Sequence, residues 1–176
     1  MIRTARLLLR PIEGRDRAAL RAMLSDPELM RDLVRDPTPE SAEASIDRHV
    51  RFRETHGLGF WVVEQEGAVA GFCGLKPGAE GTPIDGEIEI GWIFGHAYWG
   101  QGLAREAAQA SLDWAWAETR APRVVAITAA EHIKSQQLML RLGMQRLADG
   151  DFDHPKFAAD DPMRRTVTFA IDRPAR

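Results

Sequence analysis

The junction near the middle of the chain constrains its fold more than any other stretch. From Asp85 to Phe94 the residues alternate, with Glu87, Glu89 and Gly91 on one face and Ile88, Ile90 and Trp92 on the other, a period that predicts a strand. From Leu103 to Thr119 the spacing is helical, with Leu103, Ala107, Ala110 and Trp114 on one line and Ala104, Ala108 and Ala115 beside it. Gly100 and Gly102 lie between the two segments. A strand, a glycine loop and a helix start make a site for an anion. The first N–H groups of a helix have no intrahelical partner and sit at the positive end of its dipole, so a phosphate fits there without a basic side chain being essential.

Spacing separates this loop from two common phosphate binders. A P-loop needs Lys followed by Ser or Thr directly after its second glycine, and Leu103 stands there instead. A dinucleotide fingerprint needs a third glycine where Arg105 stands. A lone Gly-x-Gly is a weak sign, so the other segments must carry the assignment.

A chain of 176 residues matches about one domain, read here as 1–176, and buries a core without disulfides. Its net charge of −3 gives no global basic field, which argues against nucleic acid as a partner. One cysteine, Cys73, leaves no internal disulfide or Cys-rich metal site, and it reads as a small buried residue. The five histidines lack metal-ligand spacing, so no metal is expected. Apolar runs fall short of the ~18 residues of a membrane span. With no leader-like start, the expected location is the cytoplasm, away from membranes.

Thr4 to Arg10 predicts a first strand, closed by Pro11. A helix follows on the stripe Leu20, Met23, Leu24 and ends near Asp26-Pro27; a second starts at the cap Thr38 with Pro39 at its first position and stops at Gly57. Their charges suggest a solvated cover over one edge of the sheet. Phe60–Glu64 and Ala68–Leu75 form a hairpin around Gln65-Glu66-Gly67. After the central helix come a strand at Arg123–Thr128, a helix at Ser135–Leu142 ended by Gly143, a strand from Met144, a long acidic segment at Ala148–Pro162, and a last strand at Arg164–Ile171. This order gives an α/β sandwich with a mixed sheet.

Three segments now bear on one family. The loop Tyr98-Trp99-Gly100-Gln101-Gly102-Leu103-Ala104 resembles the acyl-CoA pyrophosphate loop of the GNAT acetyltransferases, in the form found in the ribosomal-protein (RimJ/RimL-type) branch. Glu89-Ile90-Gly91-Trp92 resembles that branch's strand, and Thr128 to Gln136 through Leu142-Gly143-Met144 resembles its closing segment. The resemblance implies a GNAT-like α/β sandwich, with a mixed, mostly antiparallel central sheet flanked by helices. It also implies acetyl transfer from acetyl-CoA to a primary amine, either a protein N-terminus or a small molecule. Two positions depart from the pattern: His132 stands where an Asn is usual, and Met139 stands where many relatives place a tyrosine general acid.

On this resemblance Glu89 is the expected general base, acting through a water, with Glu87 as its substitute. A structural ion pair with a neighbouring arginine is the other role open to Glu89. Ser135 is expected at the leaving sulfur, or else as a plain helix N-cap. Backbone groups of Gln101, Gly102, Leu103, Ala104 and Arg105 are expected at the pyrophosphate, those of Ile93 and Phe94 along the pantetheine arm, and His132 and Ser135 beside its end. His154 is a candidate for the acceptor mouth. Trp114 and Trp116 fall on different helix faces, so they form no stacking platform. A homodimer is expected only on general grounds. The alternative to an enzyme is an acyl-CoA-binding sensor or interaction protein that has lost turnover, motivated by Met139 and His132.

Overall fold

The computed structural model describes residues 1–175. The N-terminal stretch departs from the single strand expected. It is a pair, β1 (Ile2–Arg3) and β2 (Leu8–Arg10), running antiparallel with Ile2 opposite Leu9. Thr4 causes the reversal: its hydroxyl accepts the Leu7 N–H at 2.9 Å while its own N–H donates to the Leu7 carbonyl at 3.0 Å. A side chain has closed a turn that hydrophobic patterning alone could not show.

Three helices follow: α1 (Arg17–Leu24), α2 (Pro27–Met30) and α3 (Pro39–His56). The single turn α2 was not foreseen, because Asp26-Pro27 reads as a stop; Asp26 in fact opens the next helix by accepting the N–H groups of Glu28 and Leu29. Thr38 caps α3 and Gly57 ends it, as expected. The hairpin β3 (Gly59–Gln65) and β4 (Ala68–Pro77) turns on Glu66 and Gly67, both at positive φ, the conformation a two-residue hairpin loop requires. Then come β5 (Ile88–Phe94), α4 (Leu103–Glu118), β6 (Arg123–Ala129) and α5 (Ile133–Arg141), followed by β7 (Gln145–Arg146), β8 (Phe152–Asp153) and β9 (Arg165–Asp172). The acidic segment contains β8, which pairs with β9 and shortens the apparent loop.

The strands form one sheet in the order β1-β2-β3-β4-β5-β6-β9-β7, antiparallel except between β5 and β6. This is the mixed, mostly antiparallel sheet flanked by helices that the sequence implied. Period-two alternation assigns its faces. Along β3, Trp61 and Val63 join α4 residues such as Leu103 and Leu112, while Phe60 and Val62 join Leu20 and Ile46 of α1 and α3. The N-terminal helices therefore cover a full face, not an edge: their charges point outward, but fully buried Leu20 and Ile46 anchor them. Among the described residues no helix is long and apolar enough to cross a membrane.

A buried ion network ties β2 to β3 and the start of α1. Arg10 donates from both terminal nitrogens to Asp16 at 2.7 and 2.8 Å and from Nε to Glu64 at 2.9 Å, with Arg10 and Asp16 almost fully buried. Burial works against the Asp16 charge, but the Arg10 bonds and the Glu13 N–H outweigh it and hold the carboxyl below its usual range. Such a group contributes stability above the unfolded-state pKa of about 3.9, lost as pH falls through the lower folded-state value. Asp16→Asn leaves Arg10 buried with a weaker partner and is expected to cost about 3 kcal/mol at neutral pH. In urea unfolding followed over a pH series, the deficit should shrink in strong acid; a deficit unchanged by pH would contradict the role of the charge.

Candidate active site

The site begins as a failure of pairing. β5 is matched to β4 along its whole length, from Pro77 opposite Ile88 to Gly71 opposite Phe94, but it meets β6 only at Glu89 opposite Val125. Beyond that point the two strands part and leave a gap in the sheet. At either end of the β4–β5 pairing, the Gly95 N–H donates to Ala70 at 3.0 Å and the Gly78 N–H to Glu87 at 2.9 Å. The odd-numbered residues of β5 therefore bond to β4, and the even-numbered ones turn their peptide groups towards the gap. This parity moves one expectation: Ile93 is committed to Phe72 of β4, and Trp92 and Phe94 line the opening. The Phe94 carbonyl also accepts the Trp99 indole N–H at 2.6 Å, which folds the loop back onto the strand.

The glycine loop closes one end of the gap. Gly100 and Gly102 both lie in the left-handed region, at φ +73 and +76°, and no side chain caps α4. The N–H groups of the first turn, from Leu103 to Arg105, thus have no side-chain acceptor. Space around them is open: a Cβ on Gly100 would meet nothing within 4 Å, and one on Gly102 only the Arg6 Nη2 at 3.8 Å. Gln101, Gly102 and Arg105 are exposed, Ala104 is half-buried, and the Leu103 side chain anchors the helix in the core. This donor set fits a pyrophosphate.

Arg6, which the sequence reading passed over, staples this loop. Its Nη1 donates to the Gln101 carbonyl at 2.9 Å and its Nε to Glu106 at 2.7 Å, while the Thr4 hydroxyl donates to the same Glu106 at 2.6 Å. Only the tertiary contact between the first turn of the chain and α4 reveals this role. Arg6→Ala should raise the Kd for acetyl-CoA about tenfold, a change of ~1.4 kcal/mol, without unfolding the protein. Calorimetric titration checks this; an unchanged Kd would mean that the loop holds its shape unaided.

Glu89 stands where the strands part, 6% exposed, with Oε2 in an ion pair with Lys76 directly across β4. The partner is thus a lysine and not the arginine considered from sequence, and Oε1 is left over. Glu87 is corrected as a substitute base. It precedes β5 and is paired with Arg123 at the start of β6, at the closed end of the sheet. Across the gap, His132 is the N-cap residue of α5 and Ser135 is its third residue, 8% exposed, so Ser135 is not the cap. The His132 Nδ1 lies 3.1 Å from the Thr128 hydroxyl and its Nε2 lies 3.7 Å from Asp32. Burial lowers the His132 pKa, with Asp32 opposing, which favours a neutral ring. Met139 is 2% exposed in the main core, so no proton donor occupies that position. Cys73 is fully buried beside Ser111, and burial pushes its thiol up to about 12.

Two further histidines are pushed down by burial. His49 stacks on Phe60 with ring centroids 4.2 Å apart and accepts the Phe60 N–H; burial, with Arg48, Lys76 and Arg53 adding, pushes it down to about 3. His154 lies between Phe152 and Phe157 and is pushed down to about 4, first by burial and then by Lys156 and Lys76. Two contacts tie the 31–38 linker to the segment between β8 and β9: Arg35 forks onto Asp161 at 2.8 and 3.0 Å, and Lys156 Nζ reaches the Leu33 carbonyl at 3.5 Å.

Residues 6–145 match the family model described as an acetyltransferase (GNAT) domain. The uncharacterized N-acetyltransferase YnaD of Bacillus subtilis is 30% identical over 148 residues, which cover 82% of this chain and 82% of the relative. Among solved structures, an acetyltransferase from Salmonella typhimurium, described as modifying the N-terminal serine of ribosomal protein L7/L12, superposes with a TM-score of 0.77 at 16% identity, covering 96% of each chain. Spermidine N-acetyltransferase from Vibrio cholerae, solved with CoA and spermine, gives a TM-score of 0.75 at 18% identity, covering 97% of each chain. At these identities the two structures establish a shared fold.

Proposed function

The chain belongs to the GNAT acetyltransferase family and is an acetyl-transferring enzyme, and from that premise we propose that it moves the acetyl group of acetyl-CoA to a primary amine by direct attack in a ternary complex. The gap between β5 and β6 carries this reading, because it offers free backbone donors and acceptors on one wall and a helix start at one end. In this reading the whole chain acts as one domain. The amides from Gln101 to Arg105 hold the pyrophosphate, and the Trp92 peptide groups and the Phe94 N–H face the pantetheine arm as a neighbouring strand would. His132 and Ser135 border the far end of that arm.

Glu89 takes the amine proton through a water on Oε1, while Lys76 holds Oε2 in place. The amine nitrogen bonds to the acetyl carbon, the carbon–sulfur bond breaks, and the departing thiolate accepts a hydrogen bond from the Ser135 hydroxyl and takes its proton from solvent. Holding the two reactants in line removes ~7 to 11 kcal/mol of barrier, and a general base adds about 10²- to 10⁴-fold. An N-terminal α-amine, with a pKa of about 7.7 to 8.0, supplies a neutral nucleophile more readily than a lysine at about 10.4. The resemblance to the ribosomal-protein branch supports a protein N-terminus as acceptor, and the spermidine enzyme among the structural neighbours supports a small amine.

Initial-rate kinetics separate direct attack from a covalent route. Varying acetyl-CoA at several fixed amine concentrations should give intersecting double-reciprocal lines. Parallel lines, abolished in Cys73→Ser, would instead place the acetyl group on Cys73.

A further inference from the structure

The two walls of the gap touch at the end that the glycine loop closes. On one wall the Trp99 indole N–H donates to the carbonyl of Phe94, the last residue of β5, at 2.6 Å, and the ring remains 45% exposed. The His96 ring packs beside it, with centroids 4.4 Å apart, and His96 Nε2 lies 3.7 Å from Asp26. From the other wall comes Lys134, the second residue of α5 and the neighbour of Ser135. Its side chain turns back towards the glycine loop and places Nζ over the Trp99 ring, 5.2 Å from the centroid. A cation and an aromatic face thus join α5 to the loop across the mouth of the gap.

The charges around this contact leave the ammonium available. Lys134 is exposed, and no carboxylate pairs with it among the described residues: Asp26 lies against His96, and Asp32 against His132 and Arg31. The phosphate seat itself is short of positive charge. From Gly95 to Arg105 the arginine is the one Lys or Arg, Arg6 is neutralised by Glu106, and a helix start contributes only about half a charge. Trp99 stands four positions before Leu103, so at most about 14 Å of chain separates the ring's backbone from the first α4 amides. An exposed lysine gains less from an aromatic face than from a charge-assisted bond to phosphate, so an anion on those amides draws the ammonium from the ring.

We infer that Lys134 is a cofactor-binding residue whose ammonium, held on Trp99 across the mouth of the gap, moves onto the pyrophosphate of acetyl-CoA as the cofactor enters. This rests on the acetyl-CoA reading above. The indole face keeps the long side chain at the mouth, so less of its freedom is lost on binding. The same movement parts the two walls where the pantetheine arm must pass.

Calorimetric titrations of the full chain with acetyl-CoA and with ADP, each at low and at high salt, test the inference. ADP carries the pyrophosphate without the arm or the 3′-phosphate. In Lys134→Gln both Kd values are expected to rise about fivefold or more at low salt, with the deficit shrinking at high salt because the lost contact is exposed and screened. Lys134→Arg should stay near wild type. An unchanged Kd for acetyl-CoA, a deficit that salt does not alter, or a deficit for acetyl-CoA that ADP does not share would overturn the pyrophosphate role of Lys134 and leave the acetyl-CoA groove intact. Failure of folded wild-type protein to bind either ligand would overturn the groove and this inference together.

Discussion

Gly102→Val should lose acetyl-CoA binding almost entirely, with a Kd raised by more than about 100-fold, equivalent to ~2.7 kcal/mol or more. Two separate physical effects combine at this position. The backbone sits at φ +76°, where a residue with a Cβ pays about 1 to 2 kcal/mol and a β-branched one pays more, so the loop shifts away from its present geometry. The added methyl groups also project into the open space in front of the first α4 amides, which a phosphate would occupy. Gly102 is exposed at a helix start and lies outside the core, so the fold should persist, and circular dichroism and a melting curve check this. Gly102→Ala separates the two effects, because it introduces most of the backbone strain with little of the bulk. Near-normal binding by a folded Gly102→Val variant would show that the phosphates sit elsewhere.

Glu89→Gln is expected to lower kcat by about 10²-fold or more while leaving the affinity for acetyl-CoA close to wild type. The amide preserves the volume of the buried side chain but cannot accept a proton from the amine, and Glu89 stands beside the gap and away from the phosphate loop. The same change removes the counter-charge of Lys76, so some loss of stability is expected as well. A Lys76→Met variant distinguishes the two consequences: it disrupts the ion pair while keeping the carboxylate, and should retain far more turnover than Glu89→Gln. Equal losses in both variants would make the pair structural. An unchanged kcat in Glu89→Gln would falsify the role of Glu89 as base.

The parts of this molecule that could be read from sequence are those where a local rule decides. Strict alternation fixed β5, the Thr38 cap and Gly57 fixed α3, and Glu66-Gly67 fixed the hairpin, since each depends on residues only a few positions apart. The glycine loop was legible for the same reason. The turn at Thr4 was not, because a hydroxyl bond to Leu7 overrode an apolar pattern that suits a continuous strand. Residues whose roles depend on distant partners were also misjudged or missed. Glu87 and Glu89 look equivalent in sequence, yet one faces Arg123 at the closed end of the sheet and the other Lys76 where the strands part. Arg6 reaches a loop about a hundred positions away, and Ile93 loses its expected place to Trp92 through the hydrogen-bond parity of a neighbouring strand.

The central claim is transfer, and detection of the transferred group tests it most directly. Purified protein incubated with acetyl-CoA and an amine should release free CoA thiol and form the N-acetylated amine in equal amounts, the thiol followed by a chromogenic disulfide and the product by mass spectrometry. Glu89→Gln should slow both together. Tight binding of acetyl-CoA with no thiol release above the amine-free control, across α-amines and small anionic, neutral and cationic amines, would contradict the account and leave a protein that senses acyl-CoA without consuming it.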